Sequence, residues 1–458
     1  MITMNEVIKN WFEKNGDDVK AFSLKLWEVA EVAMEEYTSC ALTAEFMKKN
    51  GFSVKTFHCS DNTRPPNTVV ATWGSGSPVI GIIGEYDALP GMGQEIAPYR
   101  APKEGTGQGC GHSLMTPACG AAAVALKEAM AAEKLPGTVK FFACPAEEIV
   151  EGKMHMARDG VFDSLDCCIA WHPQPIPLQV RENIQNSMTN MKVEFFGTTA
   201  HAAAAPEKGR SALDACELMN VGVNYLREHV EPTVRMHYSY LAAGEKPNVI
   251  PRYAALHYFL RSKDLKSNYE LFERVKKIAA GAAMMTETEY KITVNAMVTG
   301  CVQISAFNDF FYNSAIKVPP LTYSDEEMEF ATELFKNVNG RDPNPGETVI
   351  QTNILKPTGK HVNAPGSTDA GYVTRLTPTS RLVGWGMVNG TPMHSWGAVA
   401  AVGHSIGLKA ALYAGMIQAQ CGYDIAKDPS VIKAWREDLD SQLAGEGDLK
   451  PIFPERLA

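Results

Sequence analysis

A chain of 458 residues that is 45% hydrophobic and 21% charged can bury a large core and exceeds the usual length of one domain, so two domains are expected. Its 52 acidic residues outnumber the 43 basic ones and no Lys/Arg-rich tract stands out, which argues against a sequence-independent grip on nucleic acid or an anionic membrane. The expected partner is therefore a small molecule. The N-terminal MITMNEVIKNWFEKNGDD lacks the apolar core of a signal peptide, and ten scattered cysteines without a disulfide framework suit a reducing compartment, so the expected location is the cytoplasm.

In chain order, apolar runs at 68–73 and 78–86 predict strands, and a helical pattern follows over 113–134. Next come the run GTVKFFACP, a helix near 152–159 and the run DCCIAWHP. Strands alternating with helices predict an α/β fold with a mostly parallel sheet, whose functional sites lie at the carboxyl ends of its strands. Between 187 and 300 the pattern changes: a strand (MKVEFFG), a helix over 210–228, strands at 236–241 and ALHYFLR, a helix over 268–284, and a strand (EYKITVNA). This unit reads as an inserted α+β domain, which makes the first domain discontinuous, 1–186 and 301–458. After Gly300 the chain is expected to continue with a Pro-rich connection, an amphipathic helix over 324–337, the strand SRLVGWG and one long helix from about 397. The apolar segment 397–419 carries His404 and Lys409 and reads as a buried helix rather than a membrane span.

The stretch GTGQGCGHSLM, residues 105–115, suggests either a phosphate-cradling loop or a metal-binding turn. Its glycines do not fit GxGxxG, and GxxxxGK[ST] and HExxH are absent from the chain. Read as an extended segment, it projects Cys110 and His112 to one side while Gly111 keeps the backbone uncrowded. FFACP leads into Glu147 and Glu148, CCIAW ends at His172, and the glycine-rich stretch after GIIGEYDALP supplies Cys110 and His112, so three strand ends supply acid–base or metal-capable groups. Adjacent glutamates point in different directions, which lets one bind metal while the other faces a water. Imidazole, thiolate and carboxylate together favour zinc or another first-row divalent ion over calcium or magnesium. Each signal alone has a plainer explanation, since a Glu–Glu pair is usually solvated surface and a histidine before Pro173 a simple strand end. A nucleophilic Cys110 with His112 as its base leaves both glutamates without a role, and a structural site closed by four ligands leaves Glu147 without one.

The motifs GEYDALPG, GCGH, PAEE, WHP, GTTAHAAAAPEKGRSALDA, PNVIP, GSTDAG and TPMHSW occur in this order along nearly the whole chain. Together they resemble the dinuclear metallo-amidohydrolases of the aminoacylase, hippurate hydrolase and carboxypeptidase superfamily. The resemblance implies two divalent ions per subunit, Zn or Mn, ligated by Cys110, His112, Glu148, His172 and His394, with Glu147 as general base. His394 rests on the TPMHSW match alone, because spacing says nothing about so distant a ligand. The inserted domain becomes a lid and dimerisation domain whose His201 reaches the partner subunit's site and stabilises the oxyanion, while Asn248 and Arg261 bind substrate. Asp87 matches an aspartate that orients ligands, and Glu85 stands where other branches have a metal-binding histidine. Ser113 departs from the Asp or Asn that often follows Cys-Gly-His. The implied reaction is hydrolysis of the amide bond of an N-acyl or N-aroyl amino acid, p-aminobenzoyl-glutamate being the favoured example. A dipeptidase or N-acetyl amino acid deacylase shares that mechanism, and a non-catalytic metal-binding protein is the alternative of another class. The expected assembly is a homodimer through the lid, with a heteromeric partner chain left open.

Overall fold

The computed structural model describes residues 3–361, 363–445 and 450–454. Helix α1 (Glu6–Val29) starts at Asn5, whose side chain accepts from the backbone N–H groups of Val7 and Ile8, and buries Ile8, Phe12, Val19 and Leu26 along one stripe. After α2 (Tyr37–Lys49) come β1 (Ser53–Phe57), β2 (Thr68–Ser75) and β3 (Val79–Glu85). Helix α3 (His112–Glu133) then precedes β4 (Gly137–Cys144), α4 (Gly152–Arg158), β5 (Cys167–Gln174), β6 (Leu178–Val180) and β7 (Ile184–Gln185). Strands β8 (Ser187–Phe196), β9 (Arg235–Ala242), β10 (Tyr253–Ser262) and β11 (Glu289–Val298) alternate with α5 (Ala212–Leu226) and α6 (Leu265–Thr286). The chain closes with α7 (Ser305–Ala315), α8 (Asp325–Asn339), β12 (Ile354–Leu355), β13 (Asn363–Ala364), α9 (Ala370–Leu376) and β14 (Thr379–Gly386). Helices α10 (Trp396–Gly403), α11 (Ser405–Lys427) and α12 (Val431–Ala444) follow.

The large sheet has the order β1-β2-β4-β3-β5-β14-β6-β12. Its centre, β4-β3-β5-β14, is parallel, and antiparallel pairs with β2 and β6 extend it on either side. The central strands are buried on both faces, which explains why VIGIIGE and CCIAW read as nearly unbroken apolar runs. Trp171 and Trp385 sit fully buried here, and each indole N–H finds a backbone carbonyl, Gly384 O at 2.9 Å and Asn353 O at 3.2 Å. The second sheet, β11-β8-β10-β9, is antiparallel throughout and has its own core, in which Met191, Val193 and Phe195 of β8 meet α5 and α6.

Two expectations are corrected. The helix expected to run on from 397 breaks at His404, whose extended backbone (φ −79°, ψ 162°) ends α10 and caps α11 by accepting from Ile406 N–H. Its ring stacks on Phe330, with centroids 3.7 Å apart. Apolar residues continue on both sides of the break, so periodicity does not register it. The stretch expected to be a Pro-rich connection contains α7, where Phe307 and Phe311, spaced i and i+4, are buried, and Phe307 stacks on Trp435 of α12.

Helix α3 lies so close to β3 that a Cβ on Gly84 would sit 2.8 Å from both Cα and Oγ1 of Thr116. Gly84→Ala should therefore destabilise the fold by about 1–3 kcal/mol, as overpacking does. Gly281, inside α6 with open space around it, should behave oppositely, Gly281→Ala gaining about 0.5–1 kcal/mol. Urea denaturation of the two variants checks the pair, and equal midpoints would refute the packing argument.

Candidate metal centre

The carboxyl ends of β3, β4 and β5 and the start of α3 converge on one point, where a loop after β14 adds a further histidine. Cys110 and His112 come together differently from the extended reading. Gly111 adopts a left-handed conformation (φ 84°), and His112 opens α3. A Cβ at Gly111 would meet Pro173 Cγ at 2.7 Å, so both conformation and space demand glycine there. The turn carrying Glu147 and Glu148 is equally constrained, because Ala146 (φ 55°) and Val150 (φ 56°) are also left-handed without being glycine. Fully buried Glu36 holds that turn by accepting from Ala146 N–H at 2.7 Å. His394, at φ 58°, is fixed by its N–H donating to Gly109 O at 2.9 Å.

Three donor triads result, each with its ligand atoms within 4.8 Å of one another: Cys110, His112 and His172; Cys110, Glu148 and His394; and Glu85, His112 and Glu147. Cys110 belongs to two of them, and the adjacent glutamates divide between different ones. Asp87 orients this set, its Oδ1 lying 3.0 Å from His112 Nδ1 and its Oδ2 accepting from Glu148 N–H at 2.8 Å. His172 Nδ1 contacts Pro173 O at 2.8 Å, so both imidazoles are left with Nε2 facing the cluster. Three buried atoms, His112 Nε2, Glu85 Oε2 and Glu148 Oε1, have no hydrogen-bond partner among the described residues. Orphaned nitrogen and oxygen ligand atoms beside a shared thiol fit divalent cations.

Charge underlines the point. Burial, then the charges of Glu85 and Asp369, raises the Glu147 carboxyl well above its usual range. Burial, opposed by His112 and reinforced by Asp87, brings Glu148 up to about 7. Burial pushes the Cys110 thiol up, whereas burial and then His112 take His172 down to about 3. Glu85 goes the other way: burial disfavours its ionisation, but Lys153 and then His112 outweigh it and hold the carboxyl at about 2. Lys153 is fully buried, with its Nζ 2.6 Å from Glu85 Oε1 and 2.7 Å from Asp369 Oδ1.

Arg261, from β10, lines the same cavity of about 310 Å³ as Cys110, Glu147, Glu148, His172 and His394. His201 and Asn248 do not. They lie side by side on exposed chain, where His201 pairs with Val249 and Ala202 N–H donates to Asn248 O.

The sequence profile of peptidase family M20/M25/M40 matches residues 81–398, which include every residue of the three triads. The chain belongs to this family. Among curated relatives, one of the subunits of p-aminobenzoyl-glutamate hydrolase from Escherichia coli is 30% identical over 90% of both chains. A mouse Xaa-Arg dipeptidase is 29% identical over 58% of this chain and 60% of its own. A dinuclear metal-binding M20 peptidase from Bacillus subtilis superposes with a TM-score of 0.57 at 16% identity, covering 91% of this chain and 99% of its own. The motif resemblance and these comparisons agree, and the M20 protein is a metal-dependent amidohydrolase or peptidase.

Sequence reasoning missed Lys153 and Glu36, and quoted Asp369 only inside GSTDAG. Lys153 carries no signal in sequence, because a lysine in a short helix such as GKMHMAR ordinarily faces water. Lys153→Met should destabilise this M20 fold by about 3–5 kcal/mol, because two buried carboxylates lose their counter-charge. In the double variant Lys153→Met, Asp369→Leu much of that loss should return. Denaturation curves read both, and a loss below about 1 kcal/mol in the single variant would remove Lys153 from its structural role.

Proposed function

We propose that the chain hydrolyses the amide bond of an N-aroyl or N-acyl amino acid, with p-aminobenzoyl-glutamate the favoured substrate. The observation that carries this reading is the pair of donor triads sharing Cys110, with Glu147 close to His112 in the same cavity. Cys110, His112, Glu148, His172 and His394 would hold two divalent ions, Zn or Mn. When bound, such ions acidify water and polarise an amide carbonyl. Glu147, which lines the cavity 4.0 Å from His112 Nε2, takes the proton from the attacking water and returns it to the leaving nitrogen. Asp87 keeps His112 and the Glu148 backbone in register. Arg261 pairs with a substrate carboxylate through its planar fork, and Asn248, exposed beside His201 and outside this chain's own cavity, would assist binding in a neighbouring protomer's site.

Residues 187–300 act in this reading as a lid and dimerisation domain. Support comes from the edge strand β9, which exposes Tyr238, Tyr240 and Leu241, and from α5 of the same unit, which exposes Leu218, Val221 and Tyr225. A second copy docked there would let the exposed His201 serve the neighbouring protomer's site as an oxyanion donor. The E. coli relative is named as one subunit of its hydrolase, which supports a heteromeric partner as a further assembly. Ten free, buried cysteines suit a cytoplasmic, reducing setting, and no described helix is long and apolar enough to cross a membrane. A dipeptide substrate is the second reading, favoured by the dipeptidase relative.

The test is hydrolysis of p-aminobenzoyl-glutamate beside dipeptides and N-acetyl amino acids, after chelation and after restoring zinc or manganese. Metal-restored release of p-aminobenzoate supports the proposal; restored cleavage of a different panel member moves the substrate. Cleavage that survives chelation but not alkylation would make Cys110 the nucleophile. Glu147→Gln should lower kcat by about 10²–10⁴-fold while metal content, read by elemental analysis, stays at the parent level. Retained turnover would sink the general-base role.

A further inference from the structure

The cavity holds a second feature that the hydrolytic reading leaves unused. Strand β6 runs antiparallel to β14 with Val180 opposite Leu382 and Gln179 opposite Val383, and Arg181 N–H donates to Arg381 O at 2.7 Å. The register thus sets two arginines directly across from each other, and both side chains line the cavity that contains Glu147 and His172. Like charges directly opposite in a ladder destabilise a sheet. Arg381 is satisfied only by neutral groups, its Nη2 donating to Gln185 Oε1 at 3.0 Å and to Cys301 Sγ at 2.9 Å. The Arg181 guanidinium, partly buried, has no hydrogen-bond or ion-pair partner among the described residues. Burial, and then the charge of Arg381, draws its pKa below the usual range. Arg261, whose guanidinium lies 5.2 Å from the Phe259 ring centroid, brings a third cation to the same cavity and likewise has no carboxylate partner among the described residues.

Two opposed guanidiniums without a counter-ion make a preorganised anion site, since each offers a planar fork of donors matched to a carboxylate. We propose that Arg181 and Arg381 form a subsite for the side-chain carboxylate of an acidic amino acid, and that Arg181 sets the preference for acidic over neutral or basic leaving amino acids. Arg261 remains for the other carboxylate of the same substrate. The assignment to the leaving amino acid rests on the amidohydrolase reading, although binding of a dicarboxylate does not require turnover. A basic side chain in this position would meet two like charges, so an Xaa-Arg dipeptide is disfavoured despite the dipeptidase relative.

The experiment measures binding rather than cleavage. Metal-loaded Glu147→Gln protein is titrated by calorimetry with N-benzoyl-glutamate and with N-benzoyl-glutamine, which has the same shape but one charge fewer. The glutamate compound should bind about tenfold or more tightly, the scale of a charge-assisted hydrogen bond. Adding Arg181→Met should bring the two affinities together, whereas Arg181→Lys, which keeps the charge and loses the fork, should retain a preference. The melting temperature of Arg181→Met should be unchanged or raised, because a like-charged neighbour is gone, and this separates loss of a subsite from loss of fold. Equal affinities in the parent, a preference that survives Arg181→Met, or no binding of either compound with metal content intact would each overturn the proposal. Failure of the wild-type protein to cleave any amide would instead sink the hydrolytic reading and leave this ratio readable.

Discussion

The structure depends on one electrostatic constraint: carboxylates must be gathered at buried strand ends without the fold being driven apart. Glu36, Glu85, Asp87 and Asp369 are all buried, and Glu147 and Glu148 stand beside them. Taking one ionised carboxylate out of water costs several kcal/mol, and several close together repel. Lys153 answers part of this from inside, with its ammonium between Glu85 and Asp369. Asp87 is answered by His112 and a backbone N–H, and Glu36 by Ala146 N–H and the Asn67 amide. These partners do not cancel the cost of burial, which drives Glu36 and Asp369 toward their neutral forms and does the same to Glu147, Glu148 and Cys110. Divalent cations reverse that preference, so the charge missing from the protein coincides with the metal chemistry of the family.

Backbone strain is also present at this point. Gly111, Ala146, Val150 and His394 have left-handed conformations within the segments that deliver the donors. Only the glycine adopts one at little cost; the others persist because surrounding contacts over-determine them, as Glu36 does for Ala146 and Gly109 O for His394. The parallel centre of the sheet makes this strain tolerable. Its strands are packed on both faces and carry long apolar runs, so strained turns are mounted on rigid elements rather than on one another.

The sheet was legible in the sequence because VIGIIGE, GTVKFFAC and CCIAW are apolar runs bounded by clear breaks. Glu147, Glu148 and His172 were legible because each closes or closely follows such a run, and Cys110 and His112 because they stand together in a glycine-rich turn. His394 was readable only through resemblance, since nothing local marks a histidine that reaches the centre from a distant loop. Lys153 was hidden because a lysine in a short helix ordinarily faces water, and only the docking of α4 beside Asp369 turns it inward. The break at His404 was invisible for a related reason: an apolar helix pair buried on nearly every side has no polar face to mark where one helix stops. His201 and Asn248 were legible as motif residues, yet one chain alone leaves them exposed and away from its own cavity.

The opposition of Arg181 and Arg381 belongs to a third class, set by register. The two residues are far apart in sequence and meet only because a three-residue strand pairs antiparallel with the edge of the parallel core. No periodicity in either segment encodes that meeting. Its consequence is that one cavity carries two unbalanced populations of charge, carboxylates and a thiol around Cys110 and guanidiniums from β10, β14 and the end of β6. A neutral amide would leave the second population without counter-charge. An anionic amide answers it while presenting its carbonyl to the first, so the charge distribution of the cavity is itself an argument about which end of a substrate lies where.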